Sequence, residues 1–127
     1  MPILEFLMER LRNMSRDTAS AVQFLNVTKN SSENSQSSTI LQNISGEVPE
    51  SHILTIIDPS GAGKSTLLSL CNFLITPDEG RVLIHSKEVR EWTVTDLLRR
   101  VGSVFQTTVM FPGTGLDNLH FPPRLKK

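Results

Sequence analysis

The chain has 127 residues, 38% of them apolar, and its 13 basic residues are matched by 13 acidic ones. That length suits one small domain, and zero net charge excludes a global field that would draw in nucleic acid or an anionic membrane. No run approaches the roughly 18 apolar residues of a membrane span, and the single cysteine, Cys71, excludes an internal disulfide and fits a reducing compartment.

Residues 1–20 read as an N-terminal extension. Ile3, Leu4, Leu7, Met8 and Leu11 can share one face of a short amphipathic helix. The favoured reading is a tail that caps the domain, and the alternative is a docking helix for a partner or a membrane surface. The apolar stretch Met1–Met8 carries Glu5, is followed by Glu9 and lacks a basic n-region, which argues against a signal peptide. Asn13, Asn26, Asn30 and Asn43 each begin an Asn-x-Ser/Thr triplet, read as chance usage because no export signal accompanies them. Ala21–Val27 predicts a strand, Ser31–Thr39 is a Ser/Asn/Gln-rich loop, Ile40–Ile44 resumes extended structure, and a turn falls near Pro49–Ser51.

The next stretch organises the chain. A β-type run, Leu54–Ile57, leads into Asp58-Pro-Ser-Gly61-Ala-Gly63-Lys64-Ser65-Thr66, and a helix follows with apolar Leu67, Leu70, Cys71 and Leu74 at i, i+3, i+4, i+7 spacing. Gly63, Lys64 and Ser65 fit the phosphate-binding loop G-x-x-x-x-G-K-[ST], while Asp58 stands where the first glycine belongs. A surface turn would share the short motif, but the strand–loop–helix order supports a phosphate site. Gly61 and Gly63 permit backbone angles and close approach that a Cβ would block. The N–H groups from Ser60 to Thr66, Ala62 included, then face an anion at a helix N-terminus. Lys64 supplies a point charge for the outer phosphates, and the Ser65 hydroxyl can ligate a Mg²⁺ held by them. Asp58 works against this. At roughly 7 Å and an effective dielectric of about 20, its carboxylate repels one phosphate charge by about 2 kcal/mol, so binding should be weakened and not abolished.

Further along, Thr76–Gly80 is a turn, Arg81–His85 a strand, and Val94–Arg100 a helix, with Thr95 able to N-cap it and Arg99 and Arg100 suited to its C-terminal end. Val101–Phe105 predicts a strand ending at Gln106. Pro112-Gly113 opens a short helix, Leu116–His120, which Pro122-Pro123 stops. His52, His85 and His120 are scattered without metal-ligand or triad spacing and read as surface or loop residues.

By this point the chain resembles the N-terminal half of an ATP-binding cassette (ABC) transporter ATPase, most like bacterial subunits of the phosphate-importer type. The matching stretches are Val48-Pro49, Pro59–Thr66, Pro77–Gly80, Val101–Gln106, Met110–Thr114 and Asp117–Leu119, in order and register over roughly residues 21–124. The resemblance implies an α/β fold: a partial P-loop NTPase with an N-terminal antiparallel β portion, over residues 21–127, lacking the C-terminal half. It implies ATP and Mg²⁺ as ligands, with Gln106 as the Q-loop glutamine that joins Ser65 at the metal and links the site to a membrane permease. A second ATPase subunit is a further implied partner. The implied location is cytoplasmic, peripheral at the inner face of the membrane.

The departures from the family pattern carry expectations of their own. The family stacks adenine on an aromatic residue after the first strand, but this chain has no Tyr and is polar near Asn30-Ser31. The usual Tyr-Gly-Pro is replaced by Phe121-Pro122-Pro123. The signature motif, the Walker B strand with its Asp and Glu, and the switch histidine are not found; Asp96 and Asp117 follow no suitable strand. The expectation is a chain that binds ATP and does not hydrolyse it alone, with the Leu54–Ile57 and Val101–Phe105 strands left with unpaired edges. Two other readings stay open: a non-enzymatic fragment that binds a permease or a full-length ATPase through Gln106–Leu119, and a small P-loop kinase, ranked low because no Arg-rich lid is visible.

Overall fold

The computed structural model describes residues 19–31, 38–107 and 109–124. The N-terminal amphipathic patch and most of the Ser/Asn/Gln-rich loop lie outside these residues. Two long strands, β1 (Ser20–Asn30) and β2 (Thr39–Pro49), pair antiparallel; β3 (Glu79–Ile84) pairs antiparallel with β1, and β4 (Lys87–Glu88) with β3. The order is β2-β1-β3-β4. β1 already begins at Ser20, the last residue of the expected extension.

Strict alternation would put Phe24 and Val27 on opposite faces of β1, and Leu41 and Ile44 on opposite faces of β2. All four are buried in one core. Asn26 and Asn43 reconcile the two facts. Each adopts a positive φ (49° and 50°), and the register shifts between Phe24 and Val27. The extra residue of such a bulge turns the next side chain back to the same face. Asparagine tolerates this backbone, and side chains replace lost ladder bonds: Asn26 N–H donates to Ser45 Oγ at 2.8 Å, and Asn43 N–H to Thr28 Oγ1 at 3.1 Å. Gly80 sits opposite the first bulge at φ +78°, where a Cβ would collide with the Leu25 and Asn26 carbonyls.

One core joins the sheet to the helices. Phe24, Val27, Leu41, Ile44, Val82 and Ile84 meet Leu67, Leu70 and Cys71 of α1 (Lys64–Cys71), Val89 of a 3-10 turn, and Leu97 of α2 (Val94–Arg100). α1 ends at Cys71, so Leu74, predicted on its apolar face, falls beyond the helix and is exposed. Asn72 caps that end, half of its work being a bond from Nδ2 to Ser103 Oγ at 2.7 Å. Thr93, not Thr95, caps α2. Its Oγ1 accepts the Asp96 N–H at 3.2 Å and donates to Asp96 Oδ2 at 2.7 Å, because Asp96 stands three residues after Thr93 and closes a reciprocal box.

Two predicted strands do not form. Leu54–Ile57 and Val101–Phe105 carry no strand assignment and pair with no strand among the described residues. Burial still alternates over Leu54–Asp58, as it would in a strand, but a ladder needs a neighbour. Ile53, Ile57, Val104 and Phe105 are exposed, as expected of runs with unpaired edges. The last helix, α3 (Gly115–Arg124), is longer than Leu116–His120 and includes Pro122-Pro123. Proline's fixed φ is compatible with a helical backbone, but each of these two residues leaves the carbonyl four residues earlier without its helical N–H donor, a cost confined here to the last turn.

Candidate functional site

The loop from Asp58 to Ser65 connects the 53–57 run, whose Ile56 packs on the core while Ile53 and Ile57 are exposed, to α1. Asp58 does not have a positive φ, so its backbone makes no demand for glycine. Gly61 and Gly63 do, at φ +84° and +89°. Gly63 is also closed in by space: a Cβ there would lie 2.8 Å from Leu41 Cδ2 and 3.1 Å from both Ile40 Cγ2 and the Ile40 carbonyl oxygen. The loop therefore rests directly on the start of β2. Gly63 N-caps α1 without a side-chain hydrogen bond, and the helix has no acidic residue in its first turn. The positive end of α1 is thus left to an anion from outside the helix.

Lys64 curls back over the loop, with Nζ donating to the carbonyl oxygens of Asp58 at 2.6 Å and Pro59 at 2.7 Å. Ala62 N–H donates to Pro59 O at 3.3 Å, which tightens the turn. A cleft of about 600 Å³ opens over the loop, lined by Ser60, Gly61, Gly63, Lys64, Ser65, Thr66, Gln106 and Ile40. Of the residues singled out from the sequence, all but Ala62 line it. Gln106 arrives from some forty residues away because Asn72 ties Ser103, three residues earlier, to the end of α1. Ile40 was not singled out; the sequence shows it only as the first apolar residue of the extended Ile40–Ile44 run.

These residues suit a Mg²⁺-bound nucleoside triphosphate. The loop offers a cation, glycines without side-chain bulk, an uncapped helix N-terminus and the Ser65 and Thr66 hydroxyls. Gln106 brings an amide oxygen to the same cleft. Among the described residues, no group of three or more His, Cys, Asp or Glu could hold a metal unaided. His52 and His85 lie exposed, each near Glu50: His52 Nδ1 is 2.8 Å from its carbonyl oxygen, and His85 Nδ1 is 2.9 Å from Oε1.

On the far side of Gln106, Asn118 holds a turn closed. Its Oδ1 accepts the Phe111 N–H at 2.8 Å, and its Nδ2 donates to the carbonyls of Phe111 and Thr114 at 3.0 Å. Thr114 and Asp117 form a second reciprocal box at the start of α3. The Thr114 N–H, and after it the hydroxyl, hold the Asp117 carboxyl below its ordinary pKa. Val109, Met110, Leu116 and Leu119 project from this region into solvent. No helix among the described residues is long and apolar enough to cross a membrane.

Comparison with known proteins agrees with this geometry. Residues 41–125 match the ABC transporter family model. The chain is 43% identical over 105 residues to a putative ABC transporter ATP-binding protein, YjkB, of Bacillus subtilis, covering 83% of this chain and 42% of that one. It is 39% identical over 89 residues to ABC transporter I family member 17 of Arabidopsis thaliana, covering 70% and 34%. Its fold superposes with a TM-score of 0.73, at 31% identity, on the ATP-binding cassette MJ0796 in a dimeric post-hydrolysis state bound to ADP and Pi, covering 84% of this chain and 48% of that one. The chain spans less than half the length of each of these proteins. With the family model matched over two-thirds of its residues and the P-loop nucleoside-triphosphatase fold shared, the chain belongs to the ABC transporter family, in its ATP-binding domain.

Proposed function

We propose that the chain binds Mg-ATP as the nucleotide-binding part of an ABC transporter ATPase that powers movement of a small solute. The observation that carries this is the convergence of Gly61, Gly63, Lys64, Ser65, Thr66 and Gln106 on one cleft. Lys64 and the loop N–H groups hold the phosphates, and Ser65 and Gln106 the Mg²⁺. Phosphate-type import is the finer reading, supported by the motifs Val101–Gln106 and Met110–Thr114. Among the described residues that line the cleft none is a carboxylate that could position an attacking water, so the reading is one of nucleotide binding. The work site is the inner face of the cell membrane. A thermal melt with and without Mg-ATP, on the native chain and on Lys64→Ala, tests the binding. At a hundredfold excess over Kd the folded state gains about 2.7 kcal/mol, so an upward shift in the native chain alone is expected. A transition indifferent to nucleotide in both would sink the reading.

The exposed apolar side chains of Val109, Met110, Leu116 and Leu119 favour a second role for the same chain, contact with a membrane permease or a second ATPase subunit through residues 106–119. Co-purification with such a partner that survives Lys64→Ala and is lost on Leu116→Glu/Leu119→Glu would support it. Retention in the Glu variant would remove it.

A further inference from the structure

We propose that the cleft beside Trp92 is a second anion site, separate from the phosphate loop, and that it takes a phosphate monoester. The cleft measures about 480 Å³ and is lined by Lys87, Trp92, Thr93, Asp96, Arg99 and Arg100. It shares no residue with the cleft over the phosphate loop, so the proposal stands whether or not that loop holds ATP. Its floor is built before any ligand arrives. Trp92 packs on the core, and the buried Val89 and Leu97 anchor the chain around it. The Trp92 backbone N–H donates to the Val89 carbonyl at 3.4 Å, and its Nε1 to the Lys87 carbonyl at 3.3 Å. The reciprocal box of Thr93 and Asp96 then starts α2 directly after it. A wall fixed in this way loses little freedom on binding.

The charges around this floor do not cancel. Cations suit the last turn of a helix, which by itself accounts for Arg99 and Arg100 on α2. Lys87 has no such reason. It comes from β4, and its Nζ lies 4.9 Å from the Trp92 ring centroid. Two elements thus bring three cations to one cleft. Asp96 is the one acid in the lining; its Oδ2 accepts the Thr93 hydroxyl at 2.7 Å, and its Oδ1 lies 3.8 Å from Arg99 Nη1. Neither Lys87 nor Arg100 forms an ion pair among the described residues. The cleft therefore keeps two positive charges uncompensated, in a chain whose net charge is zero. A phosphate monoester carries about two negative charges at neutral pH and three acceptor oxygens, where a carboxylate carries one charge. The guanidinium fork of an arginine matches phosphate oxygens, Lys87 adds a point charge, and the indole offers an apolar surface to the organic group of the ester.

Trp92 is the single Trp and the chain has no Tyr, so the protein's own fluorescence reads this cleft. The 127-residue chain is titrated with phenyl phosphate, inorganic phosphate, benzoate, and phosphatidylcholine vesicles with and without phosphatidate, whose headgroup is also a monoester. A saturable change with phenyl phosphate is expected, and it should be retained in Lys64→Ala. Inorganic phosphate should bind about twofold to tenfold more weakly for want of a ring. Lys87→Gln and Arg100→Gln should each weaken phenyl phosphate by about tenfold or more. Both residues are exposed, so both variants should keep the native melting transition. A response to phosphatidate vesicles as well as to phenyl phosphate supports the site with a lipid-borne ligand; a response to phenyl phosphate and none to the vesicles supports it with a soluble one. No response to phenyl phosphate overturns the proposal, whatever the vesicles do. So does benzoate that binds as tightly as phenyl phosphate, a response lost in a folded Lys64→Ala chain, or one unchanged in both Gln variants.

Discussion

Lys64 Nζ donates to the carbonyl oxygen of Asp58 at 2.6 Å, so the cation that would meet a phosphate also closes the loop on its own first residue. Lys64→Ala should therefore do two things. It should remove the nucleotide-dependent rise in melting temperature, and it should lower the nucleotide-free stability by about 1 kcal/mol through loss of charge-assisted hydrogen bonds. Denaturant titration without nucleotide reads the second effect. An unchanged midpoint would mean that the carbonyl contacts contribute nothing to the fold.

Asp58→Gly should split stability from affinity. Asp58 lacks a positive φ, so glycine brings no relief of strain and costs about 0.5–1 kcal/mol of stability through added chain entropy. Removing the carboxylate lifts a repulsion of about 2 kcal/mol from a bound phosphate, so nucleotide affinity should rise by roughly tenfold or more. Equal affinity in both proteins would show that the carboxylate is not felt at the site.

Gly63→Ala should be far more damaging than Gly61→Ala. Both residues hold positive φ, but a Cβ at Gly61 meets nothing within 4 Å, while one at Gly63 would press on Leu41 and Ile40. The backbone penalty is about 1–2 kcal/mol at either position, and Gly63→Ala adds displacement of β2 from the loop. Comparative melts of the two variants check this; equal losses would contradict the packing of the loop on β2.

Acid should weaken the sheet end at which β1 meets the turn before β3. The Asp78 carboxylate accepts the Asn30 N–H at 2.7 Å and the Lys29 ammonium at 2.9 Å, and these hold its pKa below the ordinary 3.8, the backbone bond first. A depressed carboxyl contributes stability that is fully present above 3.8 and is lost as pH falls through the lower folded value. Asp78→Asn should flatten that acid limb in part, leaving the share of Asp117, which has the same sign. An identical pH–stability curve in the variant would rule the contribution out.

Cys71 should report unfolding. It is buried in the core, and burial pushes its thiol up to about 12, so little thiolate exists near neutral pH. Labelling by a thiol-specific reagent should be slow in the native chain and should accelerate with denaturant along the same transition as circular dichroism. Rapid native labelling would mean that the helix α1 opens locally, with the 102–105 run beside it, which is exposed, as the first place to look.

Several features were legible in the sequence because they are local. Gly63-Lys64-Ser65, the apolar spacing of Leu67, Leu70 and Cys71, and the strand residues around β1 and β3 follow from backbone sterics and side-chain periodicity within a few residues. The order of these motifs also carried the family. The cap of α2 is legible too: Asp96 stands three residues after Thr93 and not after Thr95, and it is Thr93 whose Oγ1 accepts the Asp96 N–H.

What only the tertiary structure decided is non-local. Leu54–Ile57 and Val101–Phe105 have the composition of strands, but a strand exists only with a ladder partner, and none of the described residues provides one. Phe24 and Val27, or Leu41 and Ile44, break period-two alternation, and only the bulges at Asn26 and Asn43 show how they share a core. Ile40 and Gln106 join the loop in one cleft because β2 lies beneath Gly63 and Asn72 anchors Ser103. Local sterics and periodicity set which element each stretch tends to form; partners far apart in sequence set whether it forms, which face it turns inward, and which side chains reach the phosphate loop.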